Sequence, residues 1–124
     1  MNMRSSVLGG GLGLGLAVVA SIARIAPAAA EPSPTSAITQ LMVIESGDKN
    51  YKLFHGAIWL DADKATSNYR WGGAQCGGRD IAESTVQLLF AALRTGDQVS
   101  VEYAVGDLKG KQYRCITAVT FSKS

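Results

Sequence analysis

Most of the structural information in this chain lies in residues 76–115, CGGRDIAESTVQLLFAALRTGDQVSVEYAVGDLKGKQYRC, which begin and end with its only two cysteines. The segment contains a glycine-rich turn, one amphipathic helix and most of a terminal β-hairpin. A disulfide between Cys76 and Cys115 would join the middle of a small domain to its last strand. Closing a loop of about 40 residues would stabilise the fold by roughly 4 kcal/mol in the chain-entropy model.

The helix is the clearest element of this segment. Apolar residues recur at the i, i+3, i+4, i+7 spacing that is typical of one buried helical face, namely at Val86, Leu89, Phe90 and Leu93. Asp80 or Ser84 is placed to begin a capping box, and Gly96 is a typical helix stop. We therefore expect a helix that buries this stripe.

A hairpin is expected after the helix. Residues 99–105 alternate between apolar and polar side chains, which indicates a half-buried strand. Residues 106–111 predict a turn, and residues 112–122 a returning strand. One face of that last strand would carry Tyr113, Cys115, Thr117, Val119 and Phe121. Cys115 would then point the same way as the apolar side chains, as suits a buried disulfide.

Three strands are predicted before the cysteine segment, at Ala37–Ile44, Tyr51–Leu60 and Tyr69–Trp71. The resulting order, with one helix between strands 3 and 4 of five, is that of the oligonucleotide/oligosaccharide-binding (OB) barrel. We expect residues 37–124 to form a single OB-like domain that is mainly β with one helix (α+β). A meander with a helix packed on one face would give the same order.

Residues 1–30 indicate a signal peptide. Arg4 precedes an uncharged run over residues 5–23, and Pro27-Ala28-Ala29-Ala30 offers the small residues that signal peptidase requires. The run is about as long as a membrane span, so an uncleaved anchor is the alternative. Cleavage would leave residues 31–36 as a flexible lead-in. Export to the periplasm or the medium would favour a disulfide, because these compartments are oxidising.

The charge balance bears on the kind of partner. Of the 12 basic and 10 acidic residues, two arginines lie in the leader, so the mature part carries 10 of each sign. A general nucleic-acid-binding protein is expected to be clearly basic, because phosphate neutralisation supplies most of its affinity. We therefore expect no nucleic-acid partner.

A family resemblance covers residues 38–105. It is carried by the first strand, a cysteine ahead of the helix, and the passage LLFAALRTGD at residues 88–97 that leads into an alternating strand. In these features the chain resembles the binding subunits of bacterial toxins with five B subunits, especially the subtilase cytotoxin group. The resemblance implies an exported OB barrel that assembles into rings and binds sialylated glycans. No position matches the family's glycan-pocket residues, so the resemblance assigns no site residue.

The aromatic segment Tyr69-Arg70-Trp71 is the most plausible ligand-binding surface, together with Trp59. Sugar rings present apolar C–H faces that stack on aromatic side chains, and a neighbouring polar group can bind their hydroxyls. The same aromatics would equally serve the core of a 94-residue domain, since each buries a large area.

No catalytic, metal or cofactor site is predicted. His55 is the only histidine and is expected to be structural. Asp61 and Asp63 begin a calcium-loop spacing that the following residues do not continue. A basic cluster, formed by Lys109, Lys111, Arg114 and Lys123, is expected to be a solvated hairpin tip.

These observations predict an exported binding module that is not an enzyme, has a glycan or a protein as its ligand, and assembles with further copies as the resemblance implies. The alternative is a free-standing envelope protein with a structural or stress-related role and no glycan pocket. A membrane would be contacted only through an uncleaved leader.

Overall fold

The fold is taken from a computed structural model that describes residues 30–64 and 67–123. It is mainly β with one helix, as predicted. The elements are β1 (Glu31–Pro32), β2 (Ser36–Val43), β3 (Gly56–Leu60), β4 (Tyr69–Trp71), a 3-10 turn (Ala74–Cys76), α1 (Glu83–Thr95), β5 (Gln98–Leu108) and β6 (Lys111–Ser122). The predicted signal peptide lies outside the described residues except for Ala30. No helix in the described part is long and apolar enough to cross a membrane.

The six strands form one sheet whose hydrogen bonding runs in a ring. β2 pairs antiparallel with β3, β3 with β4, and β5 with both β6 and β2. A parallel link through Arg70 and Cys115 joins β4 to β6 and completes the ring. The links from β4 to β6 and from β5 to β2 are short, whereas the β5–β6 hairpin is paired along its whole length.

The residues expected to form a flexible lead-in are attached to this sheet. Glu31 and Pro32 pair with β5 as strand β1. The backbone N–H of Ser33 donates to the Val101 carbonyl at 2.7 Å, and the Ser33 hydroxyl accepts from the Val101 N–H at 2.8 Å. Ser33 is only 8% exposed. Its hydroxyl accepts the hydrogen bond from the Val101 N–H that a backbone carbonyl of a paired strand would otherwise accept.

The core lies inside the ring of strands and is closed by α1, which packs against β2. Its largest fully buried side chains come from five elements: Tyr69, Ile58, Leu89, Ile116, Val99 and Val101. A domain of this size buries a modest fraction of its surface, so each of these side chains contributes a substantial share of the stability.

The helix is confirmed, but its buried stripe differs from the prediction. Leu89 and Ala92 are buried and Phe90 is 48% exposed, so Phe90 points away from the core. Val86 and Leu93 are half-buried against it, as the spacing predicts. The residue before the helix is Ala82 and provides no side-chain cap, so neither predicted capping box forms. Gly96 ends the helix in the left-handed conformation, as expected.

An extra residue in β6 changes which of its side chains face the core, compared with the prediction. Glu102 pairs with Ala118 and Tyr103 with Ile116, which leaves Thr117 as a β-bulge. Since successive side chains alternate between faces, an inserted residue exchanges them on one side of the bulge. Ile116 therefore joins the core, and Cys115 lies on the opposite face from it. The prediction that Cys115 shares the apolar face of the later residues is wrong.

Two other boundaries also differ. The strand predicted from Tyr51 begins only at Gly56, because the preceding residues form turns. The turn predicted over residues 106–111 shrinks to Lys109 and Gly110, whose φ angles are 54° and 83°. Two left-handed residues form the tight hairpin turn whose twist matches that of the flanking strands.

Candidate functional site

The structure separates the three residues predicted to bind ligand. Tyr69 is 0% and Trp71 3% exposed, and both belong to the core. Strand alternation places only Arg70 on the outer face, where it is partly exposed. Of the two roles that the sequence allows for Trp71, the structure shows the core role, and neither aromatic offers a surface for stacking. Trp59, in contrast, stays partly exposed and lies outside the core cluster.

Arg70 lies in a row of paired residues across the outer face of the sheet. Met42 pairs with Ala57, Ala57 with Arg70, and Arg70 with Cys115. The predicted disulfide is confirmed: Cys115 bonds to Cys76, with the two Cα atoms 5.6 Å apart. This bond holds the 3-10 turn against the outer face, directly beside Arg70.

Neutral groups orient the Arg70 guanidinium. Its Nη1 donates to Gln75 Oε1 at 2.6 Å, and its Nε donates to Asn68 Oδ1 at 3.0 Å. The guanidinium carbon lies 4.1 Å from the ring centroid of Phe54 and 5.0 Å from that of Tyr113. Cation–π contacts on two sides and two hydrogen bonds hold the guanidinium plane in one orientation.

The charge of Arg70 is not balanced by a neighbouring carboxylate. Of the residues that the structure describes, no aspartate or glutamate lies within ion-pair distance of it. Burial lowers the pKa of Arg70 below its ordinary value, and the nearby Tyr113 acts in the opposite direction. An arginine still remains protonated near neutral pH. The site therefore holds a partly desolvated cation without a counter-charge.

An open depression of about 410 Å³ lies beside this cation. Its lining contains three basic residues and no acidic one, and consists of Ser67, Asn68, Arg70, Lys111, Gln112, Tyr113 and Arg114. Hydroxyl and amide groups thus surround the cationic groups. Such a lining can accept an anion and hydrogen-bond the neutral polar groups attached to it.

The sequence predicts that Arg114 lies in a solvated hairpin tip, but the structure places it elsewhere. Lys109, of the same basic cluster, is exposed at that tip. The Arg114 guanidinium carbon lies 3.9 Å from the Tyr69 ring centroid, and its Nη1 donates to the Tyr69 hydroxyl at 3.0 Å. That hydroxyl donates to Asp63 Oδ2 at 2.7 Å. Asp63 therefore has a structural partner. The described residues contain no group of metal-binding side chains.

The buried Tyr69 predicts a loss of stability at alkaline pH. Burial, followed by the hydrogen bond to Asp63, raises the pKa of Tyr69 well above its ordinary value. The folded protein therefore keeps the Tyr69 proton above about pH 10, where an unfolded tyrosine releases it. We expect the free energy of unfolding to fall as pH rises above about 10, and Tyr69→Phe to reduce this slope. Urea titrations between pH 8 and 11 measure it; an equal slope in the variant would exclude Tyr69 as the cause.

His55 has a structural environment that the sequence did not reveal. Its Nδ1 lies 3.0 Å from Asp80 Oδ2, and its ring stacks on Tyr51 with centroids 3.9 Å apart. The adjoining cleft of about 130 Å³ is lined by no serine, threonine or cysteine in the described part of the chain. The pair links the turn before β3 to the segment before α1.

Sequence patterns did not indicate Phe54, Gln75 or Tyr113 as partners of Arg70. Their common position depends on the ring closure and the disulfide, which bring together residues far apart in the chain. Comparison of the chain with protein-family models, curated protein sequences and solved structures finds no match.

Proposed function

We propose that this protein is an exported binding module that recognises an acidic glycan at the depression beside Arg70. The observation that carries the proposal is the fixed, partly buried Arg70 guanidinium, which no described carboxylate neutralises. A bound anion would supply the missing counter-charge.

The energetics favour an anionic ligand. Removing a cation from water is costly unless a partner of opposite charge compensates, and Arg70 pays part of that cost in the free protein. Its Nη2 donates to no residue that the structure describes, so this nitrogen remains for a ligand. A planar guanidinium suits a carboxylate especially well, because two parallel hydrogen bonds can form.

The surroundings of Arg70 favour a glycan as the carrier of the carboxylate. Asn68, Gln112 and Ser67 offer amide and hydroxyl groups that match sugar hydroxyls. The resemblance to toxin binding subunits, which implies sialylated glycans, points to the same class of ligand. The equal number of acidic and basic residues in the mature part disfavours nucleic acid.

We propose that the fold is an OB barrel. We also propose that the protein is exported to the periplasm or the medium. The ring-like order of strand pairing and the position of the helix between β4 and β5 support the OB barrel. The Cys76–Cys115 disulfide is consistent with an oxidising compartment and so with export. Ring assembly with further copies is proposed from the resemblance alone.

We expect Arg70→Gln to lower the affinity for acidic glycans by about 10- to 100-fold, the range for losing a charge-assisted hydrogen bond. A glycan array with purified mature protein, followed by calorimetric titration of the strongest acidic hits, measures this. Arg94→Gln is the matched control, because it removes the same charge from an exposed position on α1. Circular dichroism verifies that both variants fold.

An array without acidic hits, or an Arg70→Gln variant that binds like the wild type, would contradict the proposal. The absence of any glycan binding, with a monomer by light scattering, would instead favour the envelope-protein alternative.

A further inference from the structure

We infer that Trp59 forms a second subsite on the same sheet face, where an uncharged sugar ring of the ligand stacks beside the acidic unit held at Arg70. This inference rests on the proposed function and extends it from a single acidic unit to an oligosaccharide of at least two units.

The strand register places Trp59 next to the Arg70 depression. Arg70 pairs with Ala57, which lies two residues before Trp59 on β3. Side chains two residues apart share a face of a strand and lie about 7 Å apart along it. Ile58 pairs with Tyr69, so continuing the register sets Trp59 beside Asn68, whose side chain bonds Arg70. The two subsites are therefore neighbours along the sheet.

The burial pattern of β3 leaves Trp59 accessible to a ligand. Its neighbours Ile58 and Leu60 are buried in the core, whereas Trp59 is partly exposed and outside the core cluster. With Trp71 buried, Trp59 is the tryptophan whose indole can meet a ligand. Aromatic rings that keep an open face are the usual stacking partners of apolar ligand surfaces.

Trp59 lines a depression of about 240 Å³ together with mostly polar residues, namely Thr39, Gln40, Leu60, Asp61 and Asp63. The Thr39 hydroxyl donates to the Trp59 carbonyl at 3.3 Å. Asp63 is occupied by Tyr69 and Arg114, while Asp61 is exposed. A carboxylate accepts hydrogen bonds from sugar hydroxyls, so Asp61 and Gln40 can fix a ring that stacks on Trp59.

The charges set the order of the units. Asp61 makes the Trp59 depression acidic, because no basic residue lines it, and this disfavours an anion there; the Arg70 depression is lined by basic residues. Like charges repel and opposite charges attract across these short distances. The acidic unit therefore lies at Arg70, and the neutral unit follows toward Trp59.

The experiment compares oligosaccharides with their isolated acidic units. Mature protein is titrated with sialyllactose and with free sialic acid, and with a glucuronic acid-containing disaccharide and free glucuronic acid. Acrylamide quenching of tryptophan fluorescence reports on Trp59, because Trp71 is buried and contributes a constant background. We expect one of the oligosaccharides to reduce the quenching constant of the wild type at least about twofold, and its acidic monosaccharide to bind without this protection.

Variants separate the two subsites. We expect Trp59→Ala to weaken oligosaccharide binding by about 5- to 10-fold while leaving the acidic monosaccharide unaffected, and Trp59→Phe to restore most of the affinity. Arg70→Gln should weaken both. If Trp59→Ala binds the oligosaccharide like the wild type, or loses the monosaccharide equally, the Trp59 subsite is wrong while the Arg70 site stands. If no acidic saccharide binds the wild type, the proposed function itself fails, and this inference with it.

Discussion

Replacing Cys76 and Cys115 together by alanine is expected to lower the free energy of unfolding by roughly 4 kcal/mol. The bond closes a loop with a sequence separation of 39 residues, and its loss returns that conformational freedom to the unfolded chain. Small domains are stable by only about 5–15 kcal/mol, so this loss is a large part of the total. Urea denaturation, monitored by circular dichroism, measures the change.

Wild-type protein treated with a reducing agent is the natural control, because it has the same side chains without the bond. It should unfold near the midpoint of the double variant. Alanine avoids leaving a buried hydroxyl at two positions that are largely inaccessible to solvent. Equal midpoints for oxidised and reduced wild type would contradict a stabilising role for the disulfide.

The same variant is expected to weaken binding at Arg70. The bond holds the 3-10 turn on the sheet, and Gln75 in that turn is 6% exposed and accepts the hydrogen bond from Arg70 Nη1. Gly106 permits this close approach, since an added Cβ there would overlap the Gln75 carbonyl. Release of the turn would free the guanidinium to adopt other orientations. The disulfide therefore connects stability to the geometry of the candidate site.

The second large effect is expected in the helix, where Leu89→Ala should cost about 2–5 kcal/mol of unfolding free energy and Phe90→Ala less than about 0.5 kcal/mol. Leu89 is fully buried in the core, whereas Phe90 is exposed and lies beside Arg94, whose guanidinium carbon is 5.8 Å from the Phe90 ring centroid. Removing the Leu89 side chain leaves a cavity. Removing the Phe90 ring leaves only solvent.

The two adjacent positions serve as controls for one another in urea denaturation, since both changes truncate a large apolar residue in the same helix. Comparable losses for both variants would show that another surface covers Phe90, for example a second copy of the chain. Repeating the titrations at several protein concentrations would identify such an assembly, because its stability depends on concentration.

Local periodicity predicts the positions of the helix and the individual strands well. It does not predict reliably which face of each element is buried. The helix ends at Gly96 as predicted, yet four apolar residues at helical spacing did not show that Phe90 faces outward. Phe90 lies at the edge of the apolar stripe, and packing against β2 selects Ala92 instead. In β6, alternation failed at Thr117, because a bulge depends on the partner strand and leaves no reliable mark in one sequence.

The candidate site was only partly predictable. The sequence presents Arg70 and its two neighbours as one aromatic segment, but a strand directs adjacent side chains to opposite faces. Tyr69 and Trp71 therefore enter the core, and Arg70 remains on the surface. The residues that orient Arg70 come from three separate parts of the chain, and no local pattern connects them.

The amino-acid sequence alone was sufficient for the mainly β composition, the single helix, the helix stop and the Cys76–Cys115 bond, because each depends on local periodicity, turn chemistry or the presence of just two cysteines. The tertiary structure decided which aromatics are buried and which groups surround Arg70. These features depend on strand register and on contacts between distant segments, where a shift of one residue exchanges the two faces of a strand.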